Sequence, residues 1–439
     1  MKYIEPIKSF LLFFLVGLSL TLTIMIWNYK PNHQFIEETV TENYISDEEK
    51  EMSDVLKPYR ALVRSDDVFK GTTSATYITA IYNYFEKSHA NDLTLVNNNL
   101  TIEQMNDLMN INNRLMLFSA AEVPLLNFKE ILSFHTDDLP EMSFDRIILD
   151  WNDIDKDQEL TILLLNTNNH TLYRTSIAYL NVKDFVNSLL EPIDSFFTYE
   201  EVKRSDAISL YTTSLATEAV KYMYYINQDS VEQYKRVLFP KENIVQKNSD
   251  DTQTIDTYMD STSIMTVDTE KRILNYVNPS AEGLGDMVMS ELLDETFDFV
   301  NEHGGFNADF RIANLNVSKH LVDYQLYYQG IPVFSNETTT KISLTWGDYQ
   351  VHKYRRPYYV LEMDIPDEMK IKELSAGIDV IKKNIELDAE IDDLIIGYDL
   401  IQNTELNVFQ LDPAWYVIRN GIWERVKIDT SGGMPSGLE

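Results

Sequence analysis

Few residues in this sequence stand at a spacing that catalysis or metal binding requires. Asp153, Asp155 and Asp157 have the D-x-D-x-D opening of a calcium-binding EF-hand loop, where carboxylate oxygens at alternate positions converge on a hard cation. The sixth position of such a loop needs Gly for a sharp turn and the twelfth needs a bidentate Glu. Here they are Gln158 and Leu164, and the flanks read as strands, so a solvated hairpin turn is the better reading. The stretch GLGDMV at 283–288 follows a strand and opens a helix, as a dinucleotide-binding turn would. Val288 replaces the third Gly, however, and no parallel βαβ pattern follows. Seven histidines, at 33, 89, 135, 170, 303, 320 and 352, never pair at helical ligand spacing, and no H-E-x-x-H, G-x-S-x-G or P-loop occurs. His135, in the acidic stretch HTDD, has no partner that spacing identifies. With no cysteine there is no thiolate nucleophile, zinc–thiolate site, iron–sulfur cluster or disulfide. The expectation is a non-enzymatic protein: no catalytic, metal or cofactor-binding residues, no cofactor and no small-molecule substrate. A wall hydrolase working through a carboxylate pair stays open as the weaker alternative, because among 70 acids two will meet somewhere.

One segment suggests binding. HKYRRPYY at 352–359 is basic and aromatic in an otherwise acidic chain. In a strand, His352, Tyr354, Arg356 and Tyr358 share one face with Lys353 and Arg355 opposite, a surface contact patch for an acidic partner or anionic wall polymer. That makes an extracytoplasmic binding module for a wall polymer or peptide the second reading.

The elements that would position these residues begin with an apolar run. Phe10 to Trp27 carries no charge over 18 residues, about 27 Å of helix against a hydrocarbon core of about 30 Å. Lys2 and Lys8 precede it and Glu37, Glu38 and Glu42 follow, which orients the N-terminus to the cytoplasm and the bulk outside a cell membrane. The run exceeds a signal-peptide core and no small-x-small cleavage site follows, so it reads as an uncleaved single-pass anchor. Within it, Gly17 and Thr21 form a small-xxx-small pair flanked by Phe10, Phe14 and Ile24, a face a partner helix can approach closely.

Beyond the anchor, 37 Lys and Arg against 70 Asp and Glu give a net charge of −33, which repels polyphosphate and argues against nucleic acid as a partner. A hydrophobic share of 44% excludes wholesale disorder. The organisation expected is a cytoplasmic tail 1–9, a transmembrane helix 10–27, a stalk 28–54, an N-terminal α+β domain 55–185, a middle α+β domain 186–280, a C-terminal domain 281–430 and a flexible tail 431–439. The first domain reads as helices followed by an antiparallel meander through FDRIILDW, ELTILLLNT and TLYRTSIAYLNV. In the middle, TEAVKYMYYINQDSVEQYKRVLFP reads as one or two helices ended by Pro240. The C-terminal third reads as two units, each a helix (about 284–302 and about 367–386) followed by an antiparallel sheet. The fold class is therefore α+β, with helices packed on antiparallel sheets.

The segment IKSFLLFFLVGLSLTLTIMIWNYKP, the position of the anchor, the length, and the later segments YYQGIPVF (327–334) and DPAWYVIRNGIWERV (412–426) together resemble the YycH family of membrane-anchored regulators of the WalK/WalR (YycG/YycF) two-component system in low-GC Gram-positive bacteria. YQGIPVF and PAWYV also look like strands of PepSY-like extracytoplasmic modules. The resemblance implies a regulator of a sensor histidine kinase that governs cell-wall metabolism. It further implies action with a YycI-like membrane protein, through contacts of the membrane helix and of the extracytoplasmic region.

Overall fold

The computed structural model describes residues 12, 15, 18 and 19, and residues 49–428 apart from 155–158, 179–184, 240–245, 249–253, 284, 365–369, 388–389, 404 and 420. Residues 1–44 and 45–439 form two separate units. In the first, Leu12, Leu15, Leu18 and Ser19 are helical and exposed. The rest of the apolar run, including Phe10, Phe14, Gly17, Thr21 and Ile24, lies outside the described residues. Among the described residues no helix is long and apolar enough to cross a membrane.

Two large sheets dominate the second unit. The first has eleven strands among the described residues, running from Leu210–Thr213 through Phe197–Val202, Val68–Thr72, Arg60–Ser65, Arg114–Pro124, Ser143–Asp150 and Glu159–Asn166 to Thr171–Ala178, with short strands beyond. The expected meander is present: Ile147 pairs Leu164, and Leu164 pairs Tyr173, all antiparallel. It forms because Ile147–Leu149 and Leu160–Leu165 are β-branched and leucine runs whose two faces are both buried in the core. One helix, Ala75–Glu86, starts where Ser74 Oγ accepts the Tyr77 N–H, and it buries Tyr77, Ile78, Ile81, Tyr82 and Phe85 at helical spacing. Another, Ile102–Met109, opens with a reciprocal Thr101–Gln104 capping box.

The second sheet has fifteen strands among the described residues. Its spine runs from Ile255–Met259, Ile264–Asp268 and Ile273–Val277 through Val351–Pro357, Lys341–Trp346 and Leu321–Tyr328 to Ile331–Phe334, Ile391–Asn403, Val408–Arg419 and Thr217–Gln228. Apart from the parallel pairs of Ile331–Phe334 with Ile391–Asn403 and of His89–Ala90 with Ser133–Phe134, the ladders among the described residues are antiparallel. The fold class is thus α+β with antiparallel-dominated sheets. The helix Met289–Glu302 buries Leu292, Leu293, Phe297 and Val300 in a core shared with Ile312, Val322, Tyr324 and Leu344. A shorter helix, Gly377–Asn384, lays Val380 and Ile381 on Leu210, Leu394, Trp415 and Val417.

Several sequence expectations change. The segment 217–228 is one strand rather than a helix, because Val220, Tyr222, Tyr224 and Ile226 follow period two; only Val231–Leu238 is helical before Pro240. The helix expected at about 367–386 is a strand, Lys370–Leu374, paired with 217–221, followed by the helix Gly377–Asn384. Ile371 and Leu374 therefore belong to a ladder, and Ile371 is exposed. The helix expected from 284 starts at Met289. Folded structure also begins before residue 55: Met52 and Val55 are buried, and the Lys50 N–H donates to Asn301 Oδ1 at 3.2 Å. The strands of 186–280 are divided between the sheets, 197–213 joining the first and 217–277 the second.

Candidate functional site

The strongest polar constellation in the interior joins the two sheets. Arg60 and Asp393 are both almost fully buried. A bulge between Ile391 and Asp393 shifts the register so that Asp393 points inward while Asp392 stays exposed. Arg60 reaches Asp393 through Nη2–Oδ2 at 2.6 Å and Nη1–Oδ1 at 3.3 Å, and donates to the Tyr211 carbonyl at 3.1 Å. The Tyr59 hydroxyl donates to the same carboxylate, and the Leu394 N–H caps Oδ1 at 2.8 Å. Burial works against the Arg60 cation, but Asp393 together with Tyr59 and Tyr199 more than offsets it and keeps the guanidinium charged. Burial pushes the Tyr59 phenol well up, with Asp393 adding to the effect, so it stays a neutral donor. Arg60 and Arg146 each lie 4.4 Å from the Phe118 ring. Apart from Arg60 Nε, which has no acceptor among the described residues, the charged groups are satisfied by one another and are buried from solvent, so the role of the constellation is to hold the sheets together.

The open site is a cleft of about 1120 Å³ in the second sheet. Its origin is a gap in hydrogen bonding along one edge of Val408–Arg419. On that edge the ladder with Thr217–Gln228 covers Val408 to Leu411, and the ladder with Ile422–Arg425 resumes at Tyr416. Between them Asp412, Pro413 and Ala414 have no strand partner on this edge among the described residues, and Pro413 has no N–H to offer. The Trp415 indole N–H spans the gap to the Ser375 carbonyl at 3.0 Å. Residues 334–336, 338–341, 372–375, 413–416 and 422–428 line the cleft.

Charges ring this opening. Asp412 takes Lys372 at 2.7 Å, with Lys221 and Arg425 each at 3.8 Å, and Arg425 also closes onto Asp399. Burial raises the Asp399 carboxyl above the usual range despite the opposing Arg425 guanidinium, and burial with Asp399 nearby raises the Tyr416 phenol. Phe334 packs 4.4 Å from Tyr416 and 5.1 Å from Trp423, forming an aromatic wall. At the inner end Gln325 is fully buried: Nε2 donates to the Thr340 carbonyl and Oγ1, both at 3.0 Å, and to the Val333 carbonyl. Its Oε1 accepts nothing from the described residues.

The basic segment 352–358 is placed otherwise than expected. Its alternation is real, but the face carrying Tyr354, Arg356 and Tyr358 turns inward and is buried, His352 is half-buried, and Lys353 and Arg355 face solvent. The patch is therefore corrected from surface to core. Arg356 donates to the Gly305 carbonyl at 3.0 Å and to the Tyr354 hydroxyl at 2.8 Å and lies 4.9 Å from the Tyr234 ring, because helix Val231–Leu238 lays Tyr234 over it while Phe299 of helix Met289–Glu302 packs on Tyr354. Among the described residues no group of three or more His, Asp or Glu could hold a metal ion. Asp155, Asp157 and Gln158 of the acidic turn lie outside the described residues. The cleft itself was not anticipated as a site, although two of the segments that carried the family resemblance contribute to its lining, 327–334 through Phe334 and 412–426 through residues 413–416 and 422–426.

Comparison with known proteins agrees with that resemblance. The YycH protein N-terminal domain profile matches residues 5–191 and the C-terminal domain profile matches residues 207–433. The chain is 21% identical over 446 residues to the two-component system WalR/WalK regulatory protein YycH of Bacillus subtilis (strain 168), covering 95% of each. The crystal structure of YycH from Bacillus subtilis superposes with a TM-score of 0.74 at 15% identity, over 87% of this chain and 98% of that one, which establishes a common fold. With both domain profiles matched in order across nearly its whole length, this chain belongs to the YycH family.

Proposed function

We propose that this protein is a non-enzymatic, membrane-anchored regulator of a WalK/YycG-like sensor histidine kinase that controls cell-wall metabolism. The observation that carries the reading is the family match over nearly the whole chain to a WalR/WalK regulatory protein. The sequence supports the membrane part: an uncharged run from Phe10 to Trp27 behind Lys2 and Lys8 suits a single span with the bulk outside. In this reading the face of Phe10, Phe14, Gly17, Thr21 and Ile24 meets the kinase's own helices. The extracytoplasmic unit engages the kinase and a YycI-like partner, and its two helix-on-sheet units are PepSY-like modules.

The test is reconstitution. The kinase is placed in liposomes with and without the full chain, alone and with a YycI-like protein, and autophosphorylation is followed. A change in rate that saturates with the added chain is expected. An unchanged rate at molar excess, with no co-purification of the two proteins from membranes, overturns the proposal.

A further inference from the structure

The cleft has three properties that together describe a ligand. First, it runs along strand edges. On a strand face alternate residues line a pocket, yet here consecutive residues do so along 413–416, 372–375 and 422–428. The Val426 N–H donates to the Trp415 carbonyl, so in this antiparallel register residues 422, 424 and 426 turn their amides toward Val408–Arg419. The N–H and C=O groups of Trp423 and Arg425 therefore point away, along an outer edge with no strand beside it among the described residues. Second, Gln325 is fully buried, lines the cleft, and carries an amide oxygen with no donor. A buried acceptor left open costs stability unless an N–H or water supplies the bond. Third, the site is far less acidic than the chain: Lys341, Lys372, Arg425 and Lys427 stand against Asp399, Glu373, Glu424 and the Asp412 carboxylate that holds Lys372, while the whole chain has 70 acids to 37 bases. About 1120 Å³ also exceeds the roughly 300–1,000 Å³ of an ordinary small-molecule pocket.

We propose that this gap binds an extended acidic peptide segment of a partner protein, added as a strand along the outer edge of Ile422–Arg425. Main-chain bonds to Trp423 and Arg425 fix the register, as in other strand additions. An N–H of the peptide satisfies Gln325 Oε1, its acidic side chains face Lys427 and Lys372, and its apolar side chains cover Ile422, which is 66% exposed. The site requires nothing of the kinase, so the assay contains none, and its failure leaves the regulatory reading standing.

The test uses the full chain in detergent and fluorescence anisotropy of a labelled hexapeptide of alternating Val and Glu. Two control probes are the Val/Lys counterpart and the Val/Glu peptide with alternate amides N-methylated. Saturable binding of the acidic probe alone is expected. Lys427→Glu and Ile422→Asp, both at exposed positions, should each weaken it at least about fivefold, while Lys353→Glu on a different strand should not, with circular dichroism melts verifying that each variant folds. Absence of saturable binding overturns the proposal. So does equal binding of the N-methylated probe, which would mean surface charge without strand pairing, or an equal loss in Lys353→Glu.

Discussion

Replacing Asp393 by Ala should unfasten the two sheets from each other, and the structure sets the size of the effect. The substitution leaves the buried Arg60 guanidinium with one remaining acceptor, the Tyr211 carbonyl, and the buried Tyr59 hydroxyl with none. Removing one partner of a buried ion pair costs about 3–5 kcal/mol, because the surviving charge is left desolvated and unpaired. That is a large fraction of the roughly 5–15 kcal/mol that holds a typical fold together. In a unit as long as residues 45–439 the unfolding entropy is about 0.8 kcal/mol/K at the usual per-residue value, so the melting temperature should fall by about 4–6 °C. Arg60→Met combined with Asp393→Leu removes both charges together and should recover at least half of that loss, since a buried pair and a packed apolar pair are often nearly equivalent. Differential scanning calorimetry on wild type, Arg60→Met, Asp393→Leu and the double variant closes the cycle, with Asp393→Ala measured beside them. If Asp393→Ala melts within 1 °C of wild type, or the double variant is no more stable than the singles, the pair does not fasten the junction.

Asp294, partly shielded from water beside Asn127 and near Glu130 and Asp298, has its carboxyl pushed up to about 6. A raised acid is favoured protonated in the folded state, so its stabilising contribution is full below about pH 4 and is lost as pH rises through 6. Asp294→Asn should flatten that slope in urea titrations between pH 4 and 7, by less than about 1 kcal/mol because the side chain is still solvent-exposed; an unchanged slope rejects the assignment. Gly330, at φ +82° in the turn after Tyr328, would place an added Cβ 2.1 Å from the Thr73 carbonyl oxygen, so Gly330→Ala should lower stability by at least about 1 kcal/mol through backbone strain and collision. A chemical denaturation midpoint equal to wild type would show that this turn can move away. In membranes, Gly17→Leu should weaken co-purification of the kinase by on the order of 1 kcal/mol, whereas Leu18→Ala, about 100° away on a helix, should not. Equal recovery of the kinase with both variants would reduce the membrane segment to a tether.

The α+β class and the meander at 143–178 were legible because their apolar pattern and their turns agree locally. The strand at 217–228 was not: four consecutive residues, Tyr222 to Tyr225, blur the period, and its ladders on both sides are made with residues from 359–374 and 408–411, more than a hundred positions away. Long-range pairing of that kind overrides local propensity. The basic strand 351–357 shows the other limit of sequence reading. Its two faces were correctly separated, but alternation cannot say which face helices will cover, and here Tyr234 of Val231–Leu238 and Phe299 of Met289–Glu302 pack on the face that includes an arginine. The cleft escaped notice because it is a gap between ladders. Pro413 and the four-residue strand Ile422–Arg425 are the signals that could have located it, a residue unable to donate followed by a short edge strand with an exposed isoleucine.

The cleft and the inter-sheet fastening are built on the same strands. Ile391–Asn403 carries Asp393 near its start and Asp399 six residues later, about 20 Å along a strand. From Asp393 opposite Ile418 to Asn403 opposite Val408 the pairing with Val408–Arg419 is unbroken. The same partner strand supplies Pro413–Tyr416 to the cleft wall, and Trp423 touches both Phe334 at the cleft and Tyr59 beside Asp393, the latter at 6.4 Å. A continuous ladder transmits displacement because its hydrogen bonds must shift together or break. An occupant that moves Trp423 or Asp399 therefore acts on the strands that seat Asp393 against Arg60, and so on the one buried charge pair joining the two sheets among the described residues. In the regulator proposed above, this is the arrangement by which binding on one sheet would alter how firmly the other is held.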